Sequence, residues 1–421
     1  MSNKQNTVFA PKLRFPEFKE AEDWQPVPLN RLATRSKQKN RDEKIIRVLT
    51  NSAEFGVIDQ RDFFDKDIAT QGNLESYYVV ELGSYVYNPR ISATAPVGPI
   101  SKNKIGTGVM SPLYTVFKFN DENNEFYEHY FKTAGWHGYM RQASSTGARH
   151  DRMAISSEDF MAMPLPVTTP KEQQKIADCL SSLDELITTQ TRKVDALKTH
   201  KKGLMQQLFP CEGESRPRLR FPEFQNADEW KETCVGELGE LIAGLTYSPD
   251  DVRETGLLVL RSSNIQNGKI TLEDNVYVDP AIKGANLSQP NDILICVRNG
   301  SKALIGKSAL IPEVMPLCTH GAFMTVFRAE TPQFVFQLFQ TAKYQKQVAG
   351  DLGATINSIN GSQFKKYKFL VPKLPEQQRI ATFLCGLDSL ITAENQNLEA
   401  LMAHKNGLLQ QLFPSLEEVE A

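Results

Sequence analysis

The chain has 421 residues, 40% of them hydrophobic and 23% charged, with 48 Lys and Arg against 50 Asp and Glu. That length supports two to three folded domains with sizeable cores. A net charge of −2 excludes a uniformly basic polyanion binder, so any nucleic-acid contact must come from local patches.

Residues 1–15 lack the apolar core of a secretion signal, and no run of about 18 apolar residues occurs along the chain. A soluble, cytoplasmic protein without a membrane partner is expected. The six cysteines, at 179, 211, 234, 296, 318 and 385, form no CxxC pair and read as reduced thiols. Cys318 and His320 are the only close pair of a cysteine with a histidine, and two ligands alone do not make a zinc site.

In chain order, the first signal is Leu13–Phe18, reading LRFPEF, with Trp24 after it. An insert over about 25–170 follows, holding short β-rich runs such as Ser84–Tyr87 and Leu113–Phe119, broken by Gly, Pro and Asn turns. No acidic residue occurs from Leu82 to Asn120, whereas Arg90, Lys102, Lys104 and Lys118 do. The segment 144–152, SSTGARHDR, reads as an exposed polar and basic loop carrying Arg149 and Arg152.

Residues 172–210 then place Ile176, Leu180, Leu183, Ile187, Val194, Leu197, Leu204 and Leu208 at alternating steps of four and three, interrupted by Gln190 and Lys201. Such a period predicts a long helix with a coiled-coil seam, stopped by Pro210. After it, LRFPEF returns at Leu219–Phe224 and the tryptophan at Trp230. A second insert, about 231–373, has β-rich runs at Asp292–Val297 and Ala322–Phe327. Acid-free stretches recur at Ile293–Pro312, with Arg298, Lys302 and Lys307, and at Leu352–Pro375, with Lys365, Lys366, Lys368 and Lys373. The chain closes on a second helix at 376–414, whose seam is Ile380, Leu384, Leu387, Ile391, Leu398, Leu401, Leu408 and Leu412, interrupted at Glu394 and Lys405.

The helices repeat each other in constant register, EQQKIADCLSSLDELI against EQQRIATFLCGLDSLI. The inserts share a frame too. Thr115–Lys118 (TVFK) matches Thr325–Arg328 (TVFR), and Arg90 after SYVYNP matches Arg298 after DILICV. The polar loop 144–152 has its counterpart in 354–361. Two related modules of differing surface are implied, with the two apolar stripes packed on each other in antiparallel fashion. The competing expectation is that each stripe merely packs on its own neighbouring module.

Surfaces kept free of carboxylates suit DNA, because each neutralised phosphate releases counterions. Arg and Lys can address guanine, and Asn can address adenine. Candidate DNA-binding residues are therefore Asn88, Arg90, Lys102, Lys104, Arg149 and Arg152 in the first insert. In the second they are Arg261, Ser262, Asn264, Arg298, Asn299, Lys302 and Lys307. Ser92 and Asn103 are further polar candidates.

Catalytic signatures are missing. There is no phosphate-binding G-x-x-x-x-G-K-[ST] loop, and Gly106-Thr107-Gly108 lacks the third glycine of a dinucleotide loop. No Asn/Asp-Pro-Pro-aromatic motif of amino-methyltransferases occurs, and Pro249-Asp250 reads as a turn rather than the start of a nuclease motif. No nucleophilic triad can be assembled from six histidines. A non-catalytic binding chain is expected.

With its twin LRFPEF…W segments and its repeated EQQ…QQLFP helices around two divergent inserts, the chain resembles the specificity subunit of type I restriction–modification systems. That resemblance implies an α+β fold: two mixed α/β target recognition domains joined by two long antiparallel coiled-coil helices, in a pseudo-twofold internal repeat. The divisions would be 1–170 for the first recognition domain, 171–210 for the first helix, 211–373 for the second recognition domain, 374–414 for the second helix and 415–421 for a tail. It further implies a chain without a catalytic site, whose recognition domains each read one half of a bipartite target in double-stranded DNA. The helices would set the spacer and dock two methyltransferase (modification) subunits, with restriction/translocase subunits completing the enzyme. S-adenosylmethionine, ATP and Mg would then belong to those partners, and no cofactor to this chain. The rival reading from the residues alone is a non-catalytic scaffold, two protein- or glycan-binding modules on a coiled-coil spacer. A fused enzyme that methylates or cuts by itself has the missing motifs against it.

Overall fold

The computed structural model describes residues 10–63, 74–144, 151–352 and 357–414. Their elements fall into two compact units. One joins the chain up to Gln190 with the segment from Asn397 onward, and the other is Thr191–Gln396. Each unit therefore owns part of both long helices, Pro170–Leu208 and Leu374–Leu412, which run for 39 residues each. Pro170 opens the first helix, where a missing N–H leaves no hydrogen bond unmade.

The first unit is built on an antiparallel sheet in the order Ala33–Arg35, Thr115–Phe119, Tyr85–Tyr87, Ile100–Lys102. Strand alternation divides its apolar side chains between two faces. Tyr85, Tyr87 and Phe117 enter the core that holds Trp24 and Trp136. Val86 and Val116 point the other way, into a smaller cluster with Leu49, Val80 and Met110. Burial on both faces explains why the predicted run SYVY is apolar without a polar alternate.

The second unit repeats the plan with Gly239–Ala243, Met324–Ala329, Ile293–Cys296 and Ser308–Leu310. Ile293 and Ile295 face the larger core, and Leu294 and Cys296 the smaller one. In both units the ends of the insert pair as a ribbon, Gln25–Pro28 with Pro164–Val167 and Lys231–Cys234 with Lys368–Val371. Each insert thus enters and leaves at one place, beside the start of a long helix.

Within the second unit Lys193 meets Glu394 at 2.7 Å and Lys201 meets Asp388 at 2.6 Å, so rising numbers on one helix face falling numbers on the other. The helices are antiparallel there. In the first unit Lys405 bonds Asp184, the repeat of the Lys201–Asp388 pair. Three of the four polar interruptions of the seams are thereby answered by charge across the helix pair.

The apolar seam itself is shared. Ile176, Ala177 and Leu180 of the first helix join Leu409 and Leu412 of the second in the core of the first unit. Leu208, Ile380, Ala381 and Leu384 do the same in the second unit. The two expectations for the stripes are therefore both met in part: their ends pack into the modules, and their middles, half-buried at Leu183, Ile187, Leu197, Leu398 and Leu401, are left to the helix pair. An apolar face broader than a two-helix seam allows this.

A buried ion pair ties each LRFPEF segment to a helix start. Arg14 holds Glu172 through Nε and Nη2 at 2.6 and 2.7 Å, and Thr168 bonds the same carboxylate. Arg220 holds Glu376 at 2.7 and 2.7 Å, with the Trp230 indole N–H donating at 3.3 Å. Both arginines also donate to two backbone carbonyls, Ala21 and Glu22 or Ala227 and Asp228. All three nitrogens of each guanidinium are thus engaged, which is what makes burial of such a pair tolerable.

Candidate nucleic-acid interface

In each unit one strand of the sheet runs out into an arginine. Tyr85–Tyr87 leads to exposed Arg90, which forms an isolated antiparallel bridge with Arg152. The Ile91 N–H donates to the Asp151 carbonyl at 3.0 Å, and the Met153 N–H to the Pro89 carbonyl at 2.9 Å. Ile293–Cys296 leads to exposed Arg298, bridged in the same way to Ser358. The Ile359 N–H donates to Val297 at 2.8 Å, and the Asn357 side chain to the Gly300 carbonyl at 3.1 Å. The two polar loops singled out in the sequence thus return to the two matched arginines. Arg149 itself, the rest of 145–150 and residues 354–356 lie outside the described residues.

The second unit gathers the richer set. Asn299 donates to the Ser262 hydroxyl at 3.1 Å, joining two strand ends. The Arg298 guanidinium lies over the Phe323 ring, 5.7 Å from its centroid, and among the described residues no carboxylate pairs with Arg298. Lys302 is exposed and Lys307 half-buried nearby in sequence. Arg261 is held by Asp274 at 2.7 Å. In the first unit Arg90 and Arg152 both approach Asp151, at 3.8 and 3.7 Å. Asn88 is occupied by its own turn, donating to Asn51 and accepting from the Arg90 N–H.

Several candidates take structural roles instead. Asn264 is fully buried, accepting from the Arg261 N–H and donating to the carbonyls of Thr271 and Asp274, so no amide edge is left for a base. Asn103 is likewise buried among backbone carbonyls. Lys102, its side chain only 10% exposed, is held by Glu125 at 2.8 Å, and Lys104 by Glu128 at 2.7 Å. The inference from acid-free runs fails here for a simple reason. Lys118 meets Glu81, Lys368 meets Glu232 and Lys373 meets Asp228, so folding returns carboxylates that the linear segment lacks.

Leu113 and Phe323 escaped the sequence reading, although each directly precedes its repeat of the Tyr114–Lys118 and Met324–Arg328 frame. Both are 58% exposed. Phe323 accepts from the N–H groups of Val297 and Arg298 at 3.0 and 3.1 Å, fixing its turn against the strand end that carries the arginine.

A second polar cluster lies away from these tips. His129 is buried, its Nε2 3.1 Å from the Ser181 hydroxyl and its Nδ1 4.0 Å from Asp184. Burial, helped by Lys132, lowers its pKa to about 3. Burial alone would raise the Asp184 pKa, but the Lys405 hydrogen bond and the Lys132 charge outweigh it and lower it. In the second unit Gln337 fills the matching role, donating to Asp388 at 3.0 Å. Cys318 and His320 are buried in a strand, and the His320 ring is bonded by the Ile242 carbonyl and Ser288. Among the described residues no cluster of three metal-ligating side chains occurs, and no helix is long and apolar enough to cross a membrane. Pro249–Asp251 is a turn closed by Ser248 and Asp251.

Residues 227–403 match the family model of the type I restriction modification DNA specificity domain. The chain is similar to the StySPI specificity subunit of Salmonella potsdam, 30% identical over 41% of this chain and 39% of that protein. It is 32% identical to the EcoKI specificity subunit of Escherichia coli K12, over 43% and 41%. The MjaVIII specificity subunit of Methanocaldococcus jannaschii is 26% identical over 65% of both chains. The matches to the two enterobacterial relatives thus span about two fifths of their length. In fold, the chain is similar to the type I restriction–modification S subunit of M. genitalium, with a TM-score of 0.62, 14% identity, and 97% and 100% of the two chains covered. A chain from a structure on complex assembly and conformational transition of the type I system gives 0.55 at 15% identity, over 93% and 97%.

Proposed function

We propose that the chain, whose residues 227–403 match the type I restriction modification DNA specificity domain, is the sequence-reading subunit of such an enzyme. Each module addresses one half of a split DNA site through the loops around Arg90 or Arg298. The chain performs no chemistry. It binds double-stranded DNA and docks two methyltransferase subunits, with restriction subunits joining them. S-adenosylmethionine, ATP and Mg serve those partners, and this chain holds no cofactor.

The observation that supports this best is the repeated strand-end arginine with its returning polar loop, present once in each unit on otherwise divergent inserts. Exposed arginine on a fixed strand end suits bidentate contact with guanine in the major groove. Repeat-related exposed leucines, Leu186 and Leu390, offer two equivalent patches for two copies of one partner.

Two measurements test the reading. Deleting this chain should abolish a split methylated motif from the host genome. Replacing residues 25–170 with another such insert should change one half of that motif only. A change in both halves, or an unaltered methylation pattern after deletion, contradicts it.

A further inference from the structure

We propose that Leu113 and Phe323 are specificity-determining residues, each contacting the C5-methyl group of a thymine beside the base addressed by the neighbouring arginine. This rests on the DNA-reading function and assigns within it a part of the code that polar side chains cannot supply.

Both residues keep 58% of their surface in water, in turns where a polar residue would serve the backbone equally well. Leaving a large apolar side chain exposed forgoes the gain of burying it, a loss here repeated at matched positions of two divergent modules. Their placement is fixed. Cys296 pairs with Met324 and Tyr87 with Thr115, so each turn lies at the strand end that runs into Arg298 or Arg90. In the second module the guanidinium rests on the phenyl face, which holds cation and ring together before any ligand arrives. A duplex groove offers a matching pair of features. Guanine presents O6 and N7 to a guanidinium, and thymine alone presents a methyl group to an apolar side chain. Leucine in one module and phenylalanine in the other would meet that methyl at different reach, in keeping with different half-sites.

The test uses the chain in complex with its modification partner, at fixed salt, on duplexes carrying the motif mapped from host methylation. Each thymine is replaced in turn by deoxyuridine, which removes only the methyl group. One replacement in the half-site of the second module should weaken wild-type binding about four-fold, the worth of one buried methyl group. Phe323→Ala should bind more weakly and be indifferent to that replacement, and Leu113→Ala should behave likewise in the other half-site. Phe323→Leu, which keeps an apolar side chain, guards against misfolding and should retain the deoxyuridine response. Variants that bind as tightly as wild type, or wild-type binding blind to every deoxyuridine, overturn this inference alone. Failure of the wild-type complex to prefer any split motif would instead overturn the DNA-reading function.

Discussion

Arg298 and Asn264 are both polar side chains of the kind that reads bases, and burial separates them. Arg298 is exposed on a strand end, backed by Phe323, whereas Asn264 spends its whole amide on its own turn. Arg298→Ala should therefore weaken binding to the specific duplex by about 1–3 kcal/mol if it grips a guanine, measured by titration at constant salt. Asn264→Ala should lower the melting temperature and leave base preference alone. At His129 the argument is one of protons. Burial holds its folded pKa near 3, against about 6.5 in an unfolded chain. Between those values only the unfolded state takes up the proton, so this stabilisation is complete above pH 6.5 and is lost as pH falls toward 3. His129→Gln, mimicking Gln337, should flatten the decline in urea midpoint between pH 6.5 and 4.5. An unchanged slope would show that the ring is not the group that titrates. Periodicity could not disclose any of this, because side-chain partners such as Glu125 for Lys102 come from distant sequence.

Among the elements, the long helices were the most legible, because a 3.5-residue apolar period sustained from Ile176 to Leu208, and again from Ile380 to Leu412, has few other solutions. Their ends were less so. Whether Ile176 or Leu384 faces a second helix or a globular core cannot be told from its apolar character, and here one side chain serves both. The strands Tyr85–Tyr87 and Ile293–Cys296 were visible as β-rich runs and the loops 144–152 and 354–361 as polar segments, but the return of those loops to the strand ends was not, since their pairing is an isolated bridge without pattern. The clamp Arg220–Glu376 gives a test at this scale. Its side chains are 9% and 3% exposed, so Arg220→Ala should cost about 3–5 kcal/mol in chemical denaturation by stranding a buried carboxylate. The neighbouring Arg218–Glu214 pair is 65% and 38% exposed, and Arg218→Ala should leave the denaturation midpoint almost unmoved, because water screens the pair. Equal effects would refute the assignment of the clamp.

For the molecule as a whole, both long helices pass without a break from one compact unit to the other, changing at Gln190 and Gln396. If they set the unread gap in the DNA target, seven residues inserted after each of those positions would add about 10 Å of helix, or roughly three base pairs. Methylation mapping of such a variant should show the same half-sites with a longer gap, and an unaltered gap would remove the helices from that role. The lock between the helices has another implication. Asp184 and Lys201 sit on the first helix, and their repeats Asp388 and Lys405 on the second, each aspartate bonded to the other helix's lysine. A single repeat already carries lock and key together. Two identical half-length chains could therefore grip one another with no residue altered.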